Sequence, residues 1–360
     1  MYLLHWQHTH MKRNEISKII RTFVKDNLMP TDEEISEVSS RYDELKEILL
    51  GVDIFQSGSY ARHTSTTPVN DLDVIWVIPR SYLRQSETVR KAIDADELDI
   101  DDLLADLAQK LLQEYKSRGE EVRVEQQSHS VGIYFGSDDE FSIDVVPAVE
   151  TPEKSSDYNE KLYEVPSILN MSHKKRRSVY KNNAEISWIK SDPLGYKAQA
   201  KDLSDATAGG SRVATRLVKK WRSACRKRSD SFKLKSFHLE MIVTEYLKEN
   251  VTDSVFDAVE YLFLNLPTFL ISPLIKDRSD SMRFIDEYVN ELTDQERICI
   301  QEEKDAALLC IKRIRGSVTT QDVIEALKEL TGLEDSSRPL TRPSSSTVSG
   351  ATLSRPWLNN

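Results

Sequence analysis

The run Asp71-Leu-Asp-Val-Ile-Trp-Val-Ile78 opens with two carboxylates one residue apart and is otherwise apolar. In a strand, alternate side chains share a face, so Asp71 and Asp73 point together while Leu72 and Val74 point the other way. Two like charges held on one face repel unless a cation lies between them. The run therefore constrains the chain to a sheet with one apolar face and one face able to take up cations. Taken alone, the pair also fits a strand end with two solvated carboxylates.

Two further segments favour the cation-binding alternative. Gly58-Ser59 precedes the carboxylate strand, with the serine twelve residues before Asp71. A glycine there lets backbone amides approach an anion closely, and the serine hydroxyl can donate to a phosphate oxygen. Phe141-Ser-Ile-Asp144-Val-Val-Pro147 alternates so that Phe141, Ile143 and Val145 share one face and Ser142 and Asp144 the other. Asp144 is thus a lone carboxylate on the polar side of an apolar strand. Three such aspartates match what a two-metal site requires, because Mg²⁺ favours hard oxygen ligands and keeps its other positions for water or substrate phosphates.

The surrounding periodicity places this site in a two-part chain. Residues 14–29 and 31–50 read as amphipathic helices, the second opened by the capping box Thr31-Asp-Glu-Glu34. Short strands are expected at 54–56 and 71–78, a helix over 100–116, and three neighbouring strands at 122–126, 130–135 and 141–146. The turn Gly136-Ser-Asp-Asp139 would join the last two. Beyond Pro147 the character changes, and from about Pro193 to Gly332 the pattern is helical, over 211–228, 235–249, 253–264, 284–292, 294–313 and 320–331. Mixed α/β followed by all-helical sequence implies two lobes. The expected division is an extension at 1–13, a catalytic lobe at 14–190, a helical lobe at 191–333 and a tail at 334–360. The tail is Ser, Thr or Pro at 13 of its 27 positions, a disordered composition.

Composition narrows the partners. The 360 residues carry a formal net charge of −10, which argues against a general nucleic-acid coat protein. Ten Lys or Arg nevertheless fall within residues 212–235, and Lys174, Lys175, Arg176, Arg177 and Lys181 form a second cluster, while Asp94–Asp106 is acidic. Two local basic clusters on an acidic chain suit a small polyanion held in a cleft, or else a solvated helix face. No stretch reads as a membrane span, since Tyr261–Ile275 is broken by Asn265, Pro267 and Pro273. With no signal-peptide pattern, and with Cys225, Cys299 and Cys310 scattered, a cytoplasmic location with reduced thiols is expected. His5, His8 and His10 make only a weak metal-binding pattern.

Gly-Ser, then Asp-x-Asp, then a single Asp on a later strand resembles the signature of the polymerase-β-like nucleotidyltransferases. Gln56-Ser-Gly-Ser-Tyr-Ala-Arg-His-Thr64, Ile143-Asp-Val-Val-Pro147, Trp188-Ile-Lys-Ser-Asp-Pro193, Leu217-Val-Lys-Lys-Trp221 and Leu234-Lys-Ser-Phe-His-Leu-Glu240 narrow the resemblance to the cGAS/DncV-like branch, across roughly residues 50–250. It implies an α+β fold, a mixed sheet flanked by helices with a C-terminal helical lobe. It also implies Asp71, Asp73 and Asp144 as catalytic metal ligands for two Mg²⁺ or Mn²⁺ ions. Gly58, Ser59, Lys219 and Ser236 would bind the NTP, with Phe237 stacking on a base. From the residues alone, Lys219 also fits a solvated lysine, Ser236 a helix-start residue and Phe237 a core aromatic. His63 and His238 are expected to be structural.

The activity implied is joining of ribonucleoside triphosphates, ATP and possibly another, into a cyclic di- or oligonucleotide second messenger. Pyrophosphate is released, the product is read by an effector protein, and the setting is anti-phage defence. The sequence lacks a zinc-binding Cys/His insertion, so activation by DNA through one is not expected. The alternatives are a linear oligonucleotide synthase or an RNA or tRNA nucleotidyltransferase, which would need a broad basic surface, and a catalytically dead nucleotide-binding protein, in which an aspartate is commonly lost.

Overall fold

A computed structural model of the chain describes residues 10–49, 53–78, 100–136, 140–168 and 186–333. The outer histidines of the N-terminal pattern, most of the acidic run, residues 137–139 of the turn, the basic cluster at 174–181 and the tail at 334–360 lie outside the described residues. The contacts divide the chain into two units, one of Pro30–Asp202 with Arg278–Ser281, the other of the chain up to Met29, Leu203–Asp277 and Met282 onward.

The first unit is built on a seven-stranded mixed sheet. Its strands are β1 (Asp53–Gln56), β2 (Asp71–Val77), β3 (Val122–Gln126), β4 (Val131–Phe135), β5 (Phe141–Lys154), β6 (Lys161–Ile168) and β7 (Ile186–Ser191). The order is β1-β2-β5-β4-β3, with β6 joined to β5 and β7 to β6. Among the described residues only the β2–β5 pair is parallel. Leu72, Val74, Trp76, Ile143 and Val145 share one face, covered by α2 (Asp32–Ile48) and α4 (Ile100–Ser117) through Val38, Leu45, Leu104, Leu107, Leu111 and Tyr115. Each fully buried apolar side chain of that layer stabilises the unit by roughly 1.5–3 kcal/mol. The capping box at Thr31 forms, and Glu34 Oε1 goes on to accept from Thr67 Oγ1 (3.1 Å) and the Val69 amide (2.9 Å). One side chain thereby ties the start of α2 to the loop before β2.

The strands extend past Pro147, where the sequence pattern stops. In β5, Pro147 lies opposite Trp76, and the strand runs on to Lys154 with β6 on its second half. These late strands are short of strict alternation and carry Glu, Lys and Pro, so their periodicity is weak.

The second unit is helical: α1 (Arg13–Asn27), α6 (Gly210–Arg228), α7 (Ser236–Glu249), α8 (Val255–Phe269), α9 (Asp294–Gly316) and α10 (Thr320–Thr331), with α5 (Pro193–Ala206) running across the boundary between units. By its contacts α1 groups with this unit and not with the sheet, and the chain passes from one unit to the other at 202/203 rather than at 190/191. The buried face of α1, Ile16, Ile20, Phe23 and Val24, packs on α8, α10 and α6, and Arg21 donates to the carbonyls of Ala208, Thr207 and Asp253. The helix expected at 284–292 is only a 3₁₀ turn, Glu287–Glu291. Buried Asp286 accepts there from the Leu274 and Ile275 amides, and Phe284 bridges to Lys276, so the backbone is committed elsewhere. Cys225, Cys299 and Cys310 are buried free thiols. Among the described residues no helix is long and apolar enough to cross a membrane.

Candidate active site

Parallel pairing of β2 with β5 sets the geometry. Asp73 stands directly opposite Asp144, and Asp71 opposite Ser142. Leu72 and Ile143 face the apolar layer, so the three aspartates share the opposite face, at the beginning of both strands. Further along that face Ile75, Val77 and Val146 join a small apolar cluster with Ala148 and Tyr163. The carboxylates therefore occupy the open end of an otherwise dry surface.

Burial differs among the three. Asp71 is exposed, whereas Asp73 and Asp144 are half-buried. Burial pushes the Asp144 carboxyl above the usual carboxylate range, a hydrogen bond from the Gln127 amide opposes that rise, and the negative charge of Asp71 adds to it. Among the described residues no three His, Cys, Asp or Glu stand close enough to hold an ion as placed. Asp71, Asp73 and Asp144 on one face nevertheless offer an all-hard-oxygen donor set, suited to a small divalent cation.

Gly58 explains the Gly-Ser signature in a way the sequence does not reveal. It adopts a left-handed conformation (φ +62°), and a Cβ built on it would lie 1.6 Å from Asp73 Oδ2. The anion that Gly58 admits is thus the Asp73 carboxylate itself. The Ser57 amide donates to the Asp73 carbonyl at 2.8 Å, pinning the turn to the strand. Half-buried Ser59 follows within the one-turn helix α3 (Gly58–Ala61).

Lys219, Ser236 and Phe237 belong to the helical unit, where α6 and α7 pack together. Lys219 faces inward while Lys220 is half-buried. Lys219 Nζ lies 2.6 Å from Glu240 Oε2, both side chains almost fully enclosed. Ser236 is the first residue of α7, and the cap position is Lys235. Phe237 is half-buried. His238 is enclosed; Nδ1 sits 2.9 Å from Tyr288 Oη, which also accepts from the Lys235 amide at 3.1 Å. Burial holds its pKa down to about 4, with nearby Asp286 opposing and Lys235 adding to that shift. The basic run on α6 is not merely a solvated face: Arg216 is buried, and burial together with Arg212 pushes its pKa down to about 10.

Asp192, in the Trp188–Pro193 motif, serves the fold. It is fully buried, accepts from the Gly195 amide at 2.8 Å at the start of α5, and pairs with Arg278. Glu240 closes the Leu234–Glu240 motif, but its pairing with Lys219, like that of Gln127 with Asp144, escapes sequence reasoning because each acts through a partner distant in the chain.

The mixed sheet, with Asp73 level with Asp144 across its parallel strand pair, Asp71 on the same face and a glycine turn against Asp73, has the polymerase-β-like nucleotidyltransferase fold. The chain belongs to the Second Messenger Oligonucleotide or Dinucleotide Synthetase domain family, whose model matches residues 15–203. Among solved structures it is similar to CdnC of E. coli MS115-1 with ATP, at TM-score 0.62 and 17% identity over 91% of this chain and 98% of that one. A complex of Vibrio cholerae DncV cyclic AMP-GMP synthase with the linear intermediate 5′ pppA(3′,5′)pG gives TM-score 0.53 and 15% identity over 90% and 81%. The CD-NTase CdnG of Bradyrhizobium diazoefficiens with GTP gives 0.53 and 11% over 88% and 98%. At these identities the likeness establishes the fold. No curated protein matches the sequence.

Proposed function

We propose that the chain joins ribonucleoside triphosphates into a cyclic di- or oligonucleotide, using Asp71, Asp73 and Asp144 to hold Mg²⁺ or Mn²⁺, two ions per site. The observation that carries this reading is the level placement of Asp73 and Asp144 across the parallel pair, with Asp71 on the same face. A ribose hydroxyl oxygen attacks the α-phosphorus of a second NTP, and the bond to the bridging oxygen breaks, releasing pyrophosphate. The ions, when bound, supply positive charge for the attacking oxygen and the leaving group. Ser59, Lys219 and Ser236 hold the triphosphate, and Phe237 offers a ring to a base. Lys219 meets the phosphate, and Glu240, 2.6 Å from its ammonium, keeps that charge in place. Positioning of this kind supplies most of the catalysis in phosphoryl-type transfer.

ATP and GTP in the CdnC and CdnG structures, and the linear dinucleotide in DncV, support NTP substrates and a two-round reaction. Purified protein incubated with α-³²P-labelled NTPs and Mg²⁺ or Mn²⁺ is expected to give a small product that phosphatase does not attack, because ring closure leaves no terminal phosphate. Release of label by phosphatase alone, or a yield that depends on added tRNA, refutes the cyclic product. An effector protein that reads the product, and a role in anti-phage defence, follow from the same reading.

A further inference from the structure

Asp144 owes its setting to a group outside the signature motifs. Gln127 closes the tight turn between β3 and β4, its amide donating to the Ser130 carbonyl at 2.8 Å. The Gln127 side chain turns back across the sheet, and Nε2 donates to Asp144 Oδ1 at 2.9 Å and to Tyr134 Oη at 3.0 Å. Its Oε1 accepts from Ser130 Oγ at 3.2 Å. Both ends of the carboxamide are therefore committed, which fixes its orientation. Tyr134 is held in turn by the Arg123 guanidinium, 3.9 Å from the ring centroid.

The space for this reach is made by Gly132. It pairs with Asp144 across β4 and β5, and a Cβ there would lie 2.5 Å from Gln127 Nε2 and 3.0 Å from the Tyr134 ring. No positive φ demands glycine at this position. The requirement is for an empty volume, which the carboxamide fills.

We infer that Gln127 is a positioning residue for the nucleotidyl-transfer site: it anchors one oxygen of Asp144 so that the carboxylate keeps the orientation needed beside Asp73 for a divalent cation, with Gly132 providing the passage. This rests on the reading of Asp144 as the third metal-binding carboxylate. Outer groups that orient a ligand typically change metal affinity or activity 10–100-fold when removed.

The test uses the full chain with a non-hydrolysable ATP analogue, and reads Mn²⁺ binding by electron paramagnetic resonance alongside kcat and KM for synthesis. Gln127→Ala is expected to weaken Mn²⁺ binding and lower kcat by about 10–100-fold each, with KM for the NTP unchanged. Gly132→Ala, which displaces the carboxamide without removing it, should reproduce the loss. The double variant should be no worse than Gln127→Ala alone, whereas a general strand defect would add to it. Wild-type Mn²⁺ binding in Gln127→Ala overturns the inference, and so does a rise in KM with kcat intact. Asp144→Asn separates the two ideas: if it retains synthesis, the three-carboxylate reading fails; if it is inactive while Gln127→Ala is normal, only the role of Gln127 fails.

Discussion

Lys219→Ala tests whether one lysine serves both the fold and the substrate. The Lys219 and Glu240 side chains are 9% and 3% exposed and meet at 2.6 Å. Removing the ammonium leaves the carboxylate of Glu240 enclosed without that counter-charge. Breaking a buried pair from one side costs about 3–5 kcal/mol, against roughly 0–1 kcal/mol for an exposed pair. In a domain of this size each kcal/mol lowers Tm by about 2–4 °C, so the expected fall is about 6–20 °C. Loss of a charged hydrogen bond to phosphate would add a binding defect of about 1.5–3 kcal/mol. The two effects part in the double variant Lys219→Met, Glu240→Leu, because replacing both charges with apolar groups is often neutral or stabilising. Thermal unfolding by circular dichroism and ATP binding by calorimetry read them separately. The double variant should recover Tm and still bind ATP weakly. A Tm within about 1 °C of wild type in Lys219→Ala refutes the structural role, and wild-type ATP affinity in the double variant refutes the phosphate contact.

Asp71→Asn and Asp73→Asn should each reduce product by about 100-fold or more, since a metal ligand supplies several kcal/mol of charge stabilisation. Tm should hold or rise because a repulsion is relieved; product within a few-fold of wild type sinks the metal site. Gly58→Ala forces a Cβ against Asp73 and a left-handed backbone costing about 1–2 kcal/mol, so synthesis should collapse; normal turnover would show that the turn can move away from Asp73. His238 is buried with its pKa held near 4, below the ordinary value of 6.5. Its folded-state pKa is depressed, so its contribution is present above pH 6.5 and is lost as pH falls toward 4. Denaturant titrations should therefore show stability declining over that window, and His238→Phe should flatten the decline; a parallel decline in the variant would assign the acid sensitivity to other groups.

Much of the site is legible because strand alternation is strict where one face is dry. Leu72, Val74, Ile143 and Val145 had to face the core, and that alone turned Asp71, Asp73 and Asp144 the other way. The lengths of α4, α6, α7 and α10 follow from the same rule at helical period. Where burial is shared between partners far apart in the chain, the pattern falls silent. The second half of β5 is a strand because β6 lies beside it, and α1 joins the helical unit because α8 and α10 offer it an apolar surface. Gln127 in its local context is one polar residue in Gln126-Gln-Ser-His-Ser130; its role exists only through the register of β3, β4 and β5. Gly58 is legible as a place where backbone can approach an anion, but that its missing side chain leaves room for Asp73 is a fact of the fold.

The chemistry depends on register more than on any single side chain. Asp73 is level with Asp144 because Leu72 is level with Ile143 and Val74 with Val145, all buried on the opposite face. A slip of one residue between β2 and β5 would carry Asp144 into the apolar layer and expose Ile143 and Val145. Burying an unpaired carboxylate while exposing those side chains costs far more than any gain, at about 1.5–3 kcal/mol per large apolar group alone. The same core that stabilises the sheet therefore also fixes the spacing of the carboxylates. It fixes the strands and not the carboxylate torsions, which is why the last adjustment falls to groups on the open face. Gly58 against Asp73 and Gln127 on Asp144 each restrain one carboxylate. The layer beneath can tolerate exchanges that keep volume and register, whereas the face above tolerates few changes at Gly58, Gln127 or Gly132.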